Sequence, residues 1–598
     1  MFVSKGKKWM SVFSLLIVLT LLLPACATPT PEVIEKIVEK VVTQVVKETQ
    51  VVKETVKETV IVEGTPQVVE KEVTKIVEVE VEKVVTPTPE PVVEKCTEPA
   101  FGGVFKAAIG SSVPSLDTMA TVAAATTYIS LHTHEKLVEF GEDYSVIPGL
   151  AESWDMSDDG KTYTFHLREG VKFHNGKEMT SEDVIASLER YLEVTARRAE
   201  FDLLESWEAP DDYTIVMQLS SPSAGWLGTL ATPASDLSIW PKEIIEGKPK
   251  GEINPEDVVG TGPYQLVEVL PDQLYRMTRF EDYQPLPGER DGLGGAKTPY
   301  FDEIQLLIVP ETGARMAGLE TGEYDWVDGP PGTDLPRLEA NPETQVFFTK
   351  PASGGYVLFN HADPLAGNLK FREAVLATLD MESVGMAMAD GNRDLFDLNY
   401  SIWPPQTVWY TEDDYAKSRY NQNDPETAKK LLEEAGYAGE EVILVGTRTS
   451  PSLFKQIMAV ADQLQNKAGM NVRVEMYDWP GTISKWAEET GWHIGCTTNI
   501  TLQLLNPNAA SGYWGSWGTH PVRVHYSNPE FDAAFQTLDR TATFEERKAQ
   551  LKEIQRLFYE DLPNIKTVEI YGTSAGRSDI CNYKGWYRLR FFGVWRQP

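Results

Sequence analysis

Residues 27–98 contain no phenylalanine, tyrosine or tryptophan. Built from Val, Glu, Lys, Thr and Pro in units such as Val51-Val52-Lys53-Glu54-Thr55, the segment lacks the bulky apolar surface that offsets the entropy of ordering a chain, which excludes a globular core there. Cysteine is scarce: Cys26, Cys96, Cys496 and Cys581 are the whole complement of 598 residues. The three beyond Cys26 cannot make a disulfide framework, and one bridge, Cys496 to Cys581, or free buried thiols both stay open. Basic residues are outnumbered, 55 Lys and Arg against 89 Asp and Glu for a formal charge of -34, so repulsion from phosphate argues against a nucleic-acid partner. Beyond the first 25 residues no apolar run has the length of a membrane-spanning helix. No Gly-x-Ser-x-Gly elbow or Ser-x-x-Lys pair stands out, and Asp158/Asp159 and Asp413/Asp414 read as solvated turns or caps, which weakens the case for a secreted hydrolase. His132-x-His134-Glu135 and His361-x-Asp363 lack the helical spacing of a zinc hydrolase, and His132 and His134 would share a face only on a strand. Neither a metal nor a cofactor is expected.

At the amino terminus Lys5, Lys7 and Lys8 precede an apolar run over residues 12–23, too short to span a bilayer but suited to a signal peptide. Leu23-Pro24-Ala25-Cys26 then resembles a bacterial lipobox. The expectation is a signal peptide over residues 1–25, removed in the mature protein, with Cys26 lipidated and the body anchored at the outer face of the cytoplasmic membrane. Residues 26–98 read as an extended, solvated, disordered stalk. Paired valines leave a helical reading open, but their spacing is no sustained heptad. Thr86-Pro87-Thr88-Pro89 and Pro91 stiffen its end as a polyproline-like spacer.

Residues 99–598 exceed one ordinary domain. The run from Phe101 to Ile109 reads as a first strand, and residues 110–117 as a loop leaving its carboxyl end, where open α/β sheets place ligands. Tyr163, Phe165 and Leu167 alternate with polar neighbours after Asp158-Asp159-Gly160, and Val171 and Phe173 alternate before Asn175-Gly176, a β-meander pattern. Thr180-Ser181-Glu182-Asp183 caps a helix. Gly260-Thr261-Gly262-Pro263-Tyr264 reads as a tight strand entry, not a nucleotide loop, because Pro263 removes a donor. Asp424-Pro425-Glu426 opens a helix that Gly436 ends. Mixed strands and helices throughout point to α/β lobes.

In order, these pieces resemble the large solute-binding proteins of bacterial ABC importers, family 5, which includes oligopeptide, dipeptide, nickel and oligosaccharide binders. The resemblance rests on Ala151-Glu152-Ser153-Trp154, on the run from Asp158 to Lys177, on the Gly260 to Tyr264 segment, on Gly355-Tyr356-Val357-Leu358-Phe359-Asn360 with Phe371-Arg372-Glu373-Ala374-Val375, and on Tyr526-Ser527-Asn528-Pro529-Glu530-Phe531-Asp532. It implies an α/β, periplasmic-binding-protein-like fold (type II, cluster C) of three lobes: lobe I over residues 99–140, 255–355 and 560–598, lobe II over 141–254, lobe III over 356–559. Two crossing strands would hinge the main lobes around a ligand cleft. The implied function is capture of a small solute by closure, by a monomer that delivers it to an ABC permease and its ATPase subunits and is not itself an enzyme. A sensor role for the same fold is a further alternative.

Peptide-binding members carry an aspartate in a Gly-Trp-x-x-Asp segment that pairs with the ligand's amino terminus; here Gly495-Cys496-Thr497-Thr498-Asn499 takes that place, with asparagine for the carboxylate. A charge-assisted hydrogen bond contributes roughly 1.5–3 kcal/mol against about 1 for a neutral one, so an α-amino group is a weaker ligand feature at this position. Trp514 and Trp517 among glycines, and Trp403 in a proline-rich loop, suit a sugar or another flat polar ligand, or serve as packing anchors. The expected ligand contacts are Asn499, Trp514, Trp517, Trp403 and Ser111, Ser112 and Ser115, with peptide and oligosaccharide both open.

Overall fold

A computed structural model describes residues 42–62, 65–85 and 96–597, apart from 196, 224, 234–235, 501–506, 508–523 and 542. The signal segment, Cys26 and the Thr86 to Pro91 spacer lie outside the described residues. The chain divides into two units, Met1–Glu94 and Lys95–Pro598.

In the first unit β1 (Val42–Val62) and β2 (Thr65–Val85) pair antiparallel along their whole length, Val42 opposite Val85 and Val62 opposite Thr65. Over these residues the expected extended stalk is instead a two-stranded ribbon. Valine, isoleucine and threonine are stiff at χ1 and favour the pleated backbone, and a paired strand satisfies its peptide groups without any core. The aromatic-poor composition excludes globular packing but not a ladder.

The second unit is built on β3 (Val104–Ile109), α1 (Ala124–Thr133), α2 (Ser181–Val194), β4 (Glu303–Ile308), β5 (Trp326–Asp328), β6 (Thr344–Phe359), β7 (Ile494–Ile500) and β8 (Asn564–Arg577). They share one eleven-stranded sheet, except the two helices, in the order Tyr264–Leu270, Leu274–Arg279, β4, β3, β5, β8, β6, β7, Glu441–Thr447, Asn471–Tyr477, with Phe396–Asp397 pairing β8 off this path. β4, β3 and β5 run parallel, so their carboxyl ends share an edge. Long antiparallel strands β8 and β6 bridge that parallel group and the group around β7. The largest core gathers Tyr356, Val357, Leu358 and Phe359 of β6 with helices from Leu369–Thr378 to Phe544–Asp561. Another core packs Phe105 and Ile109 of β3 and Ile129 of α1 against Phe591 and Val594 near the carboxyl terminus.

A separate four-stranded sheet, Ala151–Met156, Thr162–Leu167, Thr214–Leu219, Leu204–Asp211, covers α2 through a third core containing Phe165, Leu188 and Tyr191. Tyr163, Phe165 and Leu167 are buried and alternate as expected. Val171 and Phe173 do not extend the meander: Lys172 and Glu178 make an isolated bridge around the Asn175-Gly176 turn. Thr180 and Asp183 form the expected capping box on α2, the Thr180 N–H donating to Asp183 Oδ2 at 3.0 Å.

The Gly260 to Tyr264 segment runs against the end of α1. A Cβ on Gly260 would stand 2.0 Å from the Thr133 carbonyl oxygen, and one on Gly262 2.6 Å from that of His132, so only glycine permits the approach. His174 spans the segment, Nδ1 accepting from the Gly260 N–H at 3.3 Å and Nε2 donating to Gly262 O at 3.0 Å. His132 belongs to α1 and His134 follows it, not a strand; His132 Nδ1 donates to Tyr128 O at 2.7 Å while Nε2 accepts from the Phe591 N–H at 2.9 Å. Both ring nitrogens of His132 are thus committed to the backbone.

Cys96, not Cys496, is bonded to Cys581, and Cys496 is a buried free thiol. Cys496 lies on β7 while Cys581 belongs to the short strand Ile580–Cys581, which pairs with Trp595–Arg596. The Cys96 N–H donates to Gln597 Oε1 at 2.7 Å, so the bridge and this bond tie the start of the second unit to its end. Cys96→Ser should lower unfolding free energy by about 2–4 kcal/mol in denaturant titrations of the oxidised protein. An unchanged midpoint would deny the bridge a stabilising role.

Burial holds the pKa of His132, His174 and His361 down at about 4 and pushes that of His134 below the usual imidazole range. An unfolded imidazole titrates near 6.5, so between these values the unfolded chain takes up protons that the folded one refuses. Stability from these rings is complete above about pH 6.5 and is lost as pH falls towards 4. Urea midpoints measured at pH 7, 5.5 and 4.5 should fall in that order; a flat series would contradict the neutral, buried imidazoles.

Candidate functional site

The edge formed by the carboxyl ends of β4, β3 and β5 is fastened by one side chain. Arg315, from the helix Thr312–Thr321, donates through Nη1 to Val309 O at 2.7 Å and Pro310 O at 3.0 Å, through Nη2 to Thr312 Oγ1 at 3.2 Å, and through Nε to Asp328 O at 3.1 Å. Gly110, the residue after β3, lies so close that a Cβ would be 2.9 Å from Arg315 Nη1. At its far end the loop is held by Asp117, whose buried carboxylate takes two bonds from Arg190 of α2, at 3.0 and 2.7 Å, and one from the Gly251 N–H at 2.8 Å. Between these fixed points Ser111 and Ser112 are exposed. Ser115 is half-buried and works within the loop, its Oγ accepting from the Asp117 N–H at 3.0 Å and its carbonyl from Thr126 Oγ1 at 2.6 Å.

Next to this edge, β6 and β8 pair in three successive registers. Thr349 faces Gly572 and Ser353 faces Ile570, so β6 carries extra residues around Lys350-Pro351-Ala352, and the register shifts again between Gly354 and Tyr356. Such bulges bend a strand and increase its twist. A Cβ on Gly355 would stand 2.5 Å from Thr567 Oγ1 and 3.0 Å from Gln456 Nε2, so the strands and the helix Pro451–Asn466 meet there at backbone distance. Asn499 of β7 is opposite Gly354 of β6, which brings that position to the bulged region. Trp514 and Trp517 lie outside the described residues.

Under the bulge Lys566 and Glu569 of β8 form an ion pair of 2.7 Å with both side chains fully buried. Asn399 Nδ2 donates to Glu569 Oε1 at 2.6 Å and Lys566 Nζ donates to the Ser401 carbonyl. Burial pulls the Lys566 pKa down, opposed by Glu569. Removing one partner of such a pair costs about 3–5 kcal/mol, since the other charge stays buried. The pair pins the loop that carries Trp403, and the Ile402 N–H adds a bond to Gln555 Oε1 at 3.1 Å. Trp403 is 1 % exposed and belongs to the large core, the packing-anchor role. Sequence reasoning passed over Lys566 and Glu569; the available signal was a Lys and a Glu three apart among the apolar Ile565, Val568 and Ile570, with Thr567 as the other polar residue between them.

Among the described residues two spacings of catalytic motifs occur, although neither stands out in the sequence, and the fold gives both other work. Gly572-Thr573-Ser574-Ala575-Gly576 has elbow spacing but runs inside β8, with Ser574 buried and no strand-to-helix turn. Ser452-Leu453-Phe454-Lys455 opens the helix Pro451–Asn466, where Lys455 is ion-paired to Asp390. Burial drives the Cys496 pKa up, so that group stays a thiol. Two surface crevices, of about 570 and 620 Å³, are lined by neither residues 110–117 nor β7.

The profile of the bacterial extracellular solute-binding proteins, family 5, matches residues 145–524. A probable peptide ABC transporter periplasmic-binding protein of Sinorhizobium fredii is 29% identical over 476 residues, 75% of this chain and 85% of the relative. The dipeptide-binding protein of Escherichia coli is 29% identical over 397 residues, 61% of this chain and 69% of the relative. Among solved structures, the periplasmic binding protein DppA of Helicobacter pylori in complex with the peptide STSA aligns with TM-score 0.67 and 23% identity, covering 83% of this chain and 99% of that one. The substrate-binding protein CtaP of Listeria monocytogenes aligns with TM-score 0.72 and 21% identity over 83% of this chain and all of that one. At those identities the two structures establish the periplasmic-binding-protein fold, in keeping with the α/β class expected from sequence. With the profile spanning more than half its length, the chain belongs to the family 5 bacterial extracellular solute-binding proteins.

Proposed function

We propose that this chain is the solute-capturing component of an ABC importer, with short peptides as its ligand class, anchored outside the cytoplasmic membrane through a lipidated Cys26. The observation that carries the reading is the pair of long strands β6 and β8, which run through the middle of the sheet, join the parallel group of β4, β3 and β5 to the group around β7, and shift register twice along their length. The three lobes expected from sequence are the bodies that would move about this pair. Solute entering the open form meets one lobe first, and the bonds it forms with the other lobe only on closure shift the equilibrium to the closed shape that a permease would engage. Ser111 and Ser112 on the fastened loop, and Asn499 facing Gly354, would line the cleft, with Trp514 and Trp517 following on the same segment. Relatives named for peptide and dipeptide binding support the ligand class. Asn499 favours a second reading, a neutral polar ligand such as an oligosaccharide, because an amide binds hydroxyls without needing a counter-charge.

Saturation at a hundred times Kd adds about 2.7 kcal/mol to stability, enough to raise Tm by several degrees. Tri- and tetrapeptide pools should raise Tm and reduce the radius of gyration in small-angle scattering, whereas oligosaccharides should do neither. No response to any peptide pool would reject the peptide reading, and a response without compaction would reject closure. Asn499→Asp should strengthen binding of peptides with a free amino terminus; unchanged preference would remove this position from ligand reading. Cys26→Ser should move the protein from the membrane to the soluble fraction, and its retention in the membrane fraction would refute the lipid anchor.

A further inference from the structure

Lobes II and III meet through residues that belong to neither β6 nor β8. On the lobe II side the strands Val138–Phe140 and Val146–Pro148 pair antiparallel and carry residues 141–145 at their turn. The turn closes on itself, the Gly141 N–H donating to Ser145 O at 2.9 Å and the Tyr144 N–H to Gly141 O at 3.1 Å. It is also held from outside: Asp291 Oδ1 accepts from the Glu142 N–H at 2.7 Å, Arg590 Nη2 donates to Glu142 Oε1 at 2.5 Å, and the Tyr144 ring stacks on Trp586 with centroids 4.8 Å apart. The Asp143 carboxylate accepts from the Ser145 N–H at 2.9 Å, while the Asp143 backbone carbonyl accepts from the Val408 N–H of lobe III at 3.2 Å.

The receiving side is as firmly built. Trp403 anchors its loop in the large core, Thr407 bonds back to Pro404 O through its N–H at 3.0 Å and its Oγ1 at 2.8 Å, and the Tyr410 N–H donates to Thr407 O at 3.2 Å. Val408 is thus the second residue of a four-residue turn, Thr407 to Tyr410. Beside it Trp409 packs on Phe544, 5.2 Å between centroids, and lies 5.4 Å under the Arg547 guanidinium, so the turn rests on the helix Phe544–Asp561. That helix and Pro529–Arg540 supply the lobe III wall of the crevice of about 620 Å³, where Thr537, Arg540, Thr541 and Gln550 face Asp159 and Pro222 of lobe II. Lobe II therefore meets one part of lobe III twice, by a direct bond at Asp143 and across a crevice at Asp159 and Pro222.

We propose that Asp143 and Val408 are positioning residues for solute capture: their backbone hydrogen bond forms as the lobes close and favours the closed form from outside the ligand site. The assignment rests on the hinged-lobe reading above and gives lobe II, the inserted one, a part in closure. Two rigid supports suit such a contact, since a bond between fixed groups is made in one relative placement of the lobes and lost in others. One hydrogen bond changes an equilibrium by about 2- to 10-fold, and a ligand that binds only the closed form gains affinity by the amount the closed fraction rises.

The test uses the full chain with and without a mixed tripeptide pool, followed by hydrogen exchange with mass spectrometry, small-angle scattering and equilibrium dialysis. In the wild type the pool should slow exchange at the Val408 amide by about 10-fold or more, because that N–H meets its acceptor only on closure. Val408→Pro removes this donor at a turn position that proline favours. It should retain the pool about 3-fold less well or worse while the ligand-free protein melts as the wild type does, a combination that a merely structural role would not give. Should Val408→Pro melt early, the wild-type exchange comparison decides alone. Exchange at Val408 that is equally slow, or equally fast, with and without the pool would overturn the assignment, as would full retention by a stably folded Val408→Pro. Compaction on peptide addition in those cases would leave the hinged-lobe reading intact, and its absence would overturn both.

Discussion

Backbone pairing between β6 and β8 is the constraint on which the body depends. The two strands lie in the middle of the sheet and bond to each other over most of their length. On its other side β8 pairs with β5 at Ser574–Gly576 and with Phe396–Asp397 at Glu569 and Ile570, and β6 pairs with β7 from Ser353 to Phe359. The residues that break this regularity lie at Lys350-Pro351-Ala352 and next to Gly354, in the middle of β6. A ladder that is continuous on both flanks and irregular between them concentrates compliance in a few residues. The buried Lys566 and Glu569 fix the ladder on the other side of that point, and with it the loop of Trp403.

Much of the body could be read from the chain. Period-two burial in Thr162–Leu167, the capping box of α2 and the proline-led helix Pro425–Glu434 are local signals, and local signals survive into the fold. The Gly260 and Gly262 requirement was legible only as a tight entry, because the atoms that forbid a Cβ belong to Thr133 and His132, more than a hundred residues away. Cysteine pairing failed for the same reason. Cys496 and Cys581 looked eligible by compartment alone, but β7 and the carboxyl-terminal strand serve different parts of the fold, and the partner came from the first residues of the body.

The site was partly legible. The loop after β3 was placed correctly at a carboxyl edge, yet nothing in its sequence says that Ser115 works internally while Ser111 and Ser112 stay open. The fastening roles of Arg315 and Arg190 depend on carbonyls and carboxylates brought together by the sheet and by α2, which no spacing in one sequence encodes. Trp403 shows the converse: an aromatic in a proline-rich loop attracts attention as a ligand contact, and the fold uses it to fill a core. The elbow-like run around Ser574 teaches the same lesson, since a motif carries chemistry only in the backbone geometry that presents it.

The ribbon of β1 and β2 bears on distance. Since Val42 and Val85 face each other, about 5 Å apart in such a ladder, the contour of some 150 Å that residues 42–85 could span is returned to its starting point. The forty-four residues from Val42 to Val85 therefore add almost nothing to the distance the chain covers between those two ends.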